Sequence, residues 1–316
     1  PPPPPTLDNL RRQRQMCIRD SRRYTDEQKD AVWERVRLRS GGFLADIVSD
    51  ILAPEVPPTP LDRSEDNLDG SVNVQYDIND DTMGFVSWAQ GSKSGGFSTD
   101  VATPDEAEYD TEEAETTELG FKMNLAGGAA LLNASLFYTE IDNFQVISFV
   151  GDGFETFTVP AESKGIELEG QWLVKEGLMF NASATYADAE EVETGTRLPY
   201  APEWSASLGA LYEMPWDSSG LLWRFSGTLN YRDEQYMQAG ERDLDDALTL
   251  LDLRLALARD DLWELALVGR NLLDETSSFG FDFPFFGGQG DLPTGAATMG
   301  SLSRPLTVAL QARYNF

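Results

Sequence analysis

The sequence predicts an all-β chain: a transmembrane antiparallel up-and-down β-barrel that crosses the bilayer with its strands. Three observations predict it. The chain ends in strict alternation, with Leu306, Val308, Leu310, Ala312, Tyr314 and Phe316 on one face and Thr307, Ala309, Gln311, Arg313 and Asn315 on the other. Similar segments of about ten residues recur through the chain, the length a tilted membrane strand needs. The connections between them alternate between short and long, as turns on one rim and loops on the other would.

The elements follow in order. Thr25–Leu38 carries helix formers with a possible cap at Thr25 or Asp26. Phe43, Leu44, Ile47, Val48, Ile51 and Leu52 recur at helical spacing before Pro54, Pro57, Pro58 and Pro60 end any helix. Residues 22–68 therefore read as a short helical, Pro-rich insert in an external loop. Strand alternation starts near Gly70 with Val72, Val74, Tyr76 and Ile78. The next strand, Thr82–Ser92, has an ambiguous register, because Phe85, Val86 and Trp88 do not share one face. Alternating apolar positions then mark Thr117–Leu125, Ala130–Tyr138, Ile166–Val174, Leu178–Tyr186, Trp204–Tyr212, Leu221–Tyr231, Leu251–Leu257, Trp263–Gly269 and the terminal strand. That makes about eleven strands.

Short connections lie near Asn79–Asp81, Ala126–Gly128, Lys175–Gly177, Met214–Gly220 and Arg259–Asp261. Long ones are Ser94–Glu113, Asp142–Ser163, Ala189–Glu203, Asp233–Asp246 and Leu272–Ser303. Phe144–Val150 and Phe154–Val159 are expected to extend a hairpin beyond the membrane. With a periplasmic C-terminus, Trp172, Phe180, Tyr212, Trp223, Trp263, Tyr314 and Phe316 fall near the inner rim. Tyr138, Tyr186, Trp204 and Tyr231 fall near the outer rim, which makes two aromatic girdles. Trp204 to Tyr212 and Trp223 to Tyr231 each span roughly 19 Å of height at ~45° tilt, near that of an outer-membrane apolar band. The opposite face carries Glu118, Lys122, Glu167, Glu169, Arg224, Asp252, Arg254, Glu264 and Arg270.

Composition excludes several classes. Lys plus Arg is 24 against 54 for Asp plus Glu, a formal net charge of −30, so nucleic acid is not an expected partner. Mean hydropathy is −0.35, but a barrel strand is only half apolar and escapes such averages. There is no His and one Cys, Cys17, so neither a disulfide framework nor a usual zinc site is expected. An enzyme is not expected, since the commonest general base is absent. Paired acids such as Glu112-Glu113 and Glu190-Glu191 read as solvated loops, and Asp105–Glu118 and Asp188–Glu193 lack the ligand spacing of a calcium loop. No metal or cofactor is expected.

The chain opens on Pro1–Pro5 and shows no basic segment followed by an apolar one. An outer-membrane protein needs an export signal, so the N-terminus is expected to lie upstream. Arg11–Ser21 is locally basic in an acidic chain and resembles translated sequencing-adapter read-through. Residues 1–21, Cys17 included, are set aside as an artefact or tail.

Four segments carry a family resemblance. These are Gly91-Ser-Lys-Ser-Gly-Gly-Phe97, Glu115-Thr-Thr-Glu-Leu-Gly-Phe-Lys122, Ser163-Lys-Gly-Ile-Glu-Leu-Glu169 and Gly269-Arg-Asn-Leu-Leu-Asp274. In their order and spacing, residues 69–316 resemble the C-terminal half of the barrel of a TonB-dependent outer-membrane receptor. Leu273 departs from the family, which has an aromatic at that point. The resemblance implies a 22-stranded barrel around an N-terminal plug, absent here, of which about eleven strands are present. It implies TonB-energised uptake of a scarce nutrient, a ferric siderophore or similar chelate, in the outer membrane of a Gram-negative bacterium. The implied partners are outer-membrane lipid and lipopolysaccharide, the TonB complex acting through the plug, the barrel-assembly machinery and a small-molecule ligand.

Candidate ligand contacts are Phe279, Phe281, Phe283, Phe285 and Phe286 in the long last loop, with packing among loops as the plainer reading. Arg224, Arg254 and Arg270, with Glu264, are candidates for contact with an anionic chelate or the plug, or for simple charge balance. Tyr314 and Phe316 are the expected C-terminal assembly signal. Two other readings fit the alternation: a passive porin or adhesin-like barrel, and a soluble secreted β-protein that binds glycans.

Overall fold

Period-two alternation becomes one antiparallel sheet. The computed structural model describes residues 17–21, 29–35, 56–98, 107–149, 154–216, 220–259, 262–283 and 297–315. Its strands are β1 (Cys17–Ser21), β2 (Lys29–Arg35), β3 (Val56–Arg63), β4 (Asp69–Asn79), β5 (Thr82–Lys93), β6 (Gly96–Phe97) and β7 (Glu108–Tyr109). Then come β8 (Glu112–Leu125), β9 (Ala130–Phe149), β10 (Phe154–Lys175), β11 (Leu178–Glu191), β12 (Trp204–Pro215) and β13 (Leu221–Arg232). The chain finishes with β14 (Gln235–Gln238), β15 (Arg242–Asp245), β16 (Leu248–Arg259), β17 (Trp263–Arg270), β18 (Ser278–Phe283), β19 (Ala297–Leu302) and β20 (Thr307–Tyr314).

Twelve strands form the sheet in the order β1-β4-β5-β8-β9-β10-β11-β12-β13-β16-β17-β20. Eleven of these match the expected series. The twelfth, β1, lies in the segment that was set aside and pairs Cys17–Ser21 with Asn73–Asp69. The remaining strands make four small hairpins, β2-β3, β6-β7, β14-β15 and β18-β19, within the long connections. β9 and β10 run on past the rest of the sheet as a hairpin with a register shift between Val159 and Ala161.

The expected helix over Thr25–Leu38 is corrected by the structure, since Lys29–Arg35 is a strand paired with Val56–Arg63. Helix propensity is a weak prior, and a partner strand overrides it. Both strands of this pair are edges, so Pro57, Pro58 and Pro60 cost little ladder bonding. The expected helix at Phe43–Leu52 lies outside the described residues.

Cross-strand register carries each face across many strands. One apolar row runs Val74, Val86, Leu119, Leu136, Ile166, Tyr186 and Trp204. Another runs Leu178, Tyr212, Phe225, Leu255, Leu267 and Leu310. The opposite face reads Gln75, Phe85, Gly120, Ser135, Glu167, Thr185, Ser205 and Arg232. The ambiguous strand is thereby settled: Val86 and Trp88 belong to the apolar face, Phe85 to the polar one.

No second layer covers the apolar face among the described residues. Val74 is 53% exposed, Leu267 50% and Leu310 73%, and among the described residues no large side chain is fully buried. A water-soluble sandwich buries this face in its core. A continuous apolar surface of this extent needs a nonaqueous surrounding.

Candidate functional site

The polar face holds two charged clusters. The first is an ion network on β12, β13, β16 and β17. Arg224 Nε donates to Glu213 Oε1 at 2.8 Å, and Arg224 Nη1 donates to Glu264 Oε2 at 3.1 Å. Arg254 donates to the other oxygen of Glu264. Alternation forces this placement, because Glu213 and Arg224 are direct cross-strand partners and Arg254 and Glu264 sit on the next two strands. Three of the four members were expected to share a face; Glu213 was missed, although its odd position opposite Tyr212 was signal enough. Arg270, the other expected member, pairs in register with Thr307 and lies outside this network.

The second cluster lines a recess of about 500 Å³ between β4 and β11. Phe85, Glu118, Lys122, Asn133, Glu167 and Glu169 are in its wall. Three carboxylates face one ammonium, and Lys122 Nζ lies 5.7 Å from the centre of the Phe85 ring. The motif residues Glu118, Lys122, Glu167 and Glu169 thus meet in one place, although the segments that carry them lie on two strands, β8 and β10, with β9 between them.

At the long-loop end of the sheet, the glycines of Gly91–Phe97 seat a clamp. A Cβ on Gly95 would stand 2.7 Å from Arg63 Cζ, and one on Gly96 would stand 2.5 Å from Tyr109 Oη. Only glycine admits so close an approach. Arg63 Nη1 donates to Glu108 Oε1 at 2.6 Å and Arg63 Nη2 to Thr111 Oγ1 at 3.2 Å. Glu65 accepts from Thr111 Oγ1 and from the Gly95 N–H. Burial pushes the Glu65 carboxyl up, but these bonds and the adjacent guanidinium outweigh it and hold it below the ordinary Glu value. Gln145 Nε2 ties in the strand ends by donating to the Ser94 and Asp110 carbonyls at 3.0 and 3.1 Å. Nothing in the sequence periodicity signals Arg63, Glu65 or Gln145, because the partners of Arg63 and Glu65 at Gly95, Glu108 and Thr111, and Gln145 itself, lie thirty or more residues away in the chain.

Asn271-Leu-Leu-Asp274 is the root of the last long loop. Asn271 has φ 48° and is 5% exposed. Its Nδ2 donates to the Glu275 and Arg304 carbonyls, and its Oδ1 accepts from the Glu275 N–H. Asp274 Oδ1 accepts from the Leu306 N–H at 3.0 Å. The motif therefore joins the two ends of the loop.

The expected aromatic positions fall in register neighbourhoods. Trp172 pairs with Phe180, Tyr212 with Phe225, and Trp263 with Tyr314. Trp223 stacks on Trp216, centroids 5.3 Å apart. Toward the other end, Tyr186 and Trp204 pack at 5.0 Å, and Tyr231 pairs with Ala206. Phe279, Phe281 and Phe283 occupy alternate positions of β18. Phe285, Phe286 and Phe316 lie outside the described residues. Among the described residues, no group of three Asp, Glu, Cys or His is arranged to hold a metal ion.

Comparison with known proteins places this geometry. The family model for the β-barrel of TonB dependent receptor-like proteins matches residues 31–272. A pesticin receptor of Yersinia enterocolitica is 27% identical over 150 residues, covering 45% of this chain and 22% of that protein. The ferric yersiniabactin uptake receptor of Yersinia pestis superposes with a TM-score of 0.69 at 19% identity, over 84% of this chain and 40% of that one. The ferripyoverdine receptor of the outer membrane of Pseudomonas aeruginosa superposes with a TM-score of 0.61 at 16% identity, over 82% and 35%. The chain thus spans about a fifth of the length of the curated relative and well under half of the solved receptors. The chain belongs to the TonB-dependent receptor-like β-barrel family, whose members are barrels of the Gram-negative outer membrane.

Proposed function

We propose that this chain forms the C-terminal part of a receptor barrel that takes up a ferric siderophore or similar chelate under TonB energisation. The match to the family barrel over residues 31–272 carries the reading. The relatives whose names speak of ferric yersiniabactin and ferripyoverdine support the choice of ligand class. In this reading the apolar rows face lipid and the two aromatic sets sit at its two interfaces, the outer one beside lipopolysaccharide. The ion network and the acidic recess face the lumen, where a plug would be expected to present complementary cationic groups to Glu118, Glu167 and Glu169. The aromatic positions of β18, together with Phe285 and Phe286, contribute to ligand contact, and Tyr314 and Phe316 are read by the barrel-assembly machinery.

An uptake measurement tests this. The reading frame that encodes the chain is expressed in an iron-starved Gram-negative host stripped of its own receptors. Radioactive iron is then supplied as yersiniabactin, catecholate or pyoverdine chelates. Uptake of one chelate that stops when TonB is deleted is the expected result. Entry at an equal rate without TonB would overturn the reading in favour of a passive pore.

A further inference from the structure

Three neighbouring external connections are laced together through one small hairpin. β14 and β15 pair Gln235 with Asp245, Tyr236 with Leu244 and Gln238 with Arg242. Two strands of four residues are too little to stand alone in water. Yet Met237, Gln238 and Asp245 are buried, so neighbours hold the hairpin.

It is hitched on both sides. On the β14 side, the Tyr200 N–H donates to the Tyr236 carbonyl at 2.8 Å. The Arg197 guanidinium lies 5.6 Å from the centre of the Tyr236 ring, and the Arg197 N–H donates to Glu241 Oε1 at 3.2 Å. Arg197 and Tyr200 belong to the connection between β11 and β12. On the β15 side, Asp245 Oδ2 accepts from Arg232 Nη2 at 2.6 Å and from Ser277 Oγ at 2.8 Å. Asp245 is 7% exposed, so both bonds to its charge are made away from bulk water.

Ser277 is the foot of the last loop. Its N–H donates to Ser303 Oγ at 3.0 Å, and its carbonyl accepts from the Ser303 N–H at 2.9 Å. The next pair, Ser278 and Leu302, opens the β18-β19 hairpin. Below, Asn271 binds Glu275 and Arg304, Asp252 Oδ1 accepts from the Asn271 N–H, and Glu275 Oε2 accepts from the Thr249 N–H at 2.5 Å. The root is thus zipped to itself and to β16, and a hydrogen bond from Ser277 to Asp245 ties it to the neighbouring hairpin.

We propose that Asp245 is a positioning residue that couples the β14-β15 hairpin to the β18-β19 hairpin, so that the two open and close as one unit. The coupling goes beyond the uptake reading and holds whatever the ligand is. It requires that loosening either hairpin loosens the other, because Asp245 and Ser277 make a buried, charge-assisted bond between the two.

Hydrogen exchange on the full chain in lipid nanodiscs tests it. Asp245→Asn keeps the side-chain shape and removes the charge; Ser277→Ala removes one hydroxyl. Each is expected to speed amide exchange about tenfold or more in both 235–245 and 278–283, since each breaks a charge-assisted bond in a buried setting. The double variant is expected to exchange no faster than Asp245→Asn alone. Exchange in 96–97 and 108–109, at the separate Arg63 clamp, is expected to stay unchanged and reports intact folding. If Ser277→Ala loosens 278–283 and leaves 235–245 as protected as before, the coupling is wrong. Should Asp245→Asn fail to insert, Ser277→Ala alone decides the matter.

Discussion

The Phe85 ring occupies the space that a Cβ on Gly120 would need. The two residues are direct cross-strand partners on the polar face, so the ring lies over bare backbone where every other residue would intrude. Gly120→Ala is therefore expected to destabilise the sheet by about 1–3 kcal/mol, the usual cost of overpacking. Phe85→Ala should restore tolerance to the added methyl. A double-mutant cycle in urea, followed by tryptophan fluorescence in detergent, measures the coupling, and strict additivity of the two changes would sink the account.

The assignment of faces has its own test. Leu253 lies on the apolar face and Thr228 on the polar face, beside its cross-strand partner Asp252. Leu253→Arg should cost about 2–4 kcal/mol if lipid covers that face near the bilayer midplane. Thr228→Arg should stay within about 0.5 kcal/mol, as a solvated position allows. Reversible unfolding in lipid vesicles compares the two; equal costs would contradict the assignment.

Glu264 holds two guanidiniums, those of Arg224 and Arg254. Glu264→Gln leaves a cationic pair facing each other with one carboxylate, Glu213, still in place. All four groups keep some contact with solvent, so the loss is expected at about 1–2 kcal/mol, below that of a fully buried pair. Adding Arg254→Gln to Glu264→Gln should recover part of it. A denaturation midpoint lowest in the double variant would speak against charge imbalance as the cause.

The Arg63–Glu65 clamp carries a pH dependence of known sign. The Glu65 value is lower in the folded chain than in the unfolded one, so its contribution is complete above the unfolded value. It is lost as pH falls through the lower folded value. Arg63 stays charged throughout, its own value being raised despite desolvation by the hydrogen bond to Glu108 and the nearby carboxylates. Protection of amides in 56–63 and 96–97, taken relative to intrinsic exchange at each pH, should fall under acid, and Glu65→Gln should show the lower protection already at neutral pH with little further change on acidification. A wild-type profile that stays flat down to the bottom of the carboxylate range would refute the clamp.

The alternation in Leu306–Tyr314 and its counterparts was enough to read strands, faces and the order of a meander, because a strand's side chains alternate whatever its partners are. The extended β9-β10 hairpin was legible for the same reason. Lys29–Arg35 was misread, since its helix formers give no hint of a partner more than twenty residues later. Phe85 was ambiguous because its place depends on an empty Cβ position at Gly120, thirty-five residues away in the chain.

The site divides along the same line. Arg224, Arg254 and Glu264 could be assigned to one face from parity, which is local. That they meet in one network with Glu213, that Arg63 settles on Gly95, and that Asp245 joins Arg232 to Ser277 depends on strand register and loop return. Outside Thr82–Ser92 and Lys29–Arg35, sequence alone determined which face a strand side chain takes, because that follows from backbone geometry one residue at a time. Tertiary structure decided which charges meet and which loops are tied, because those contacts join segments brought together only when the sheet has formed.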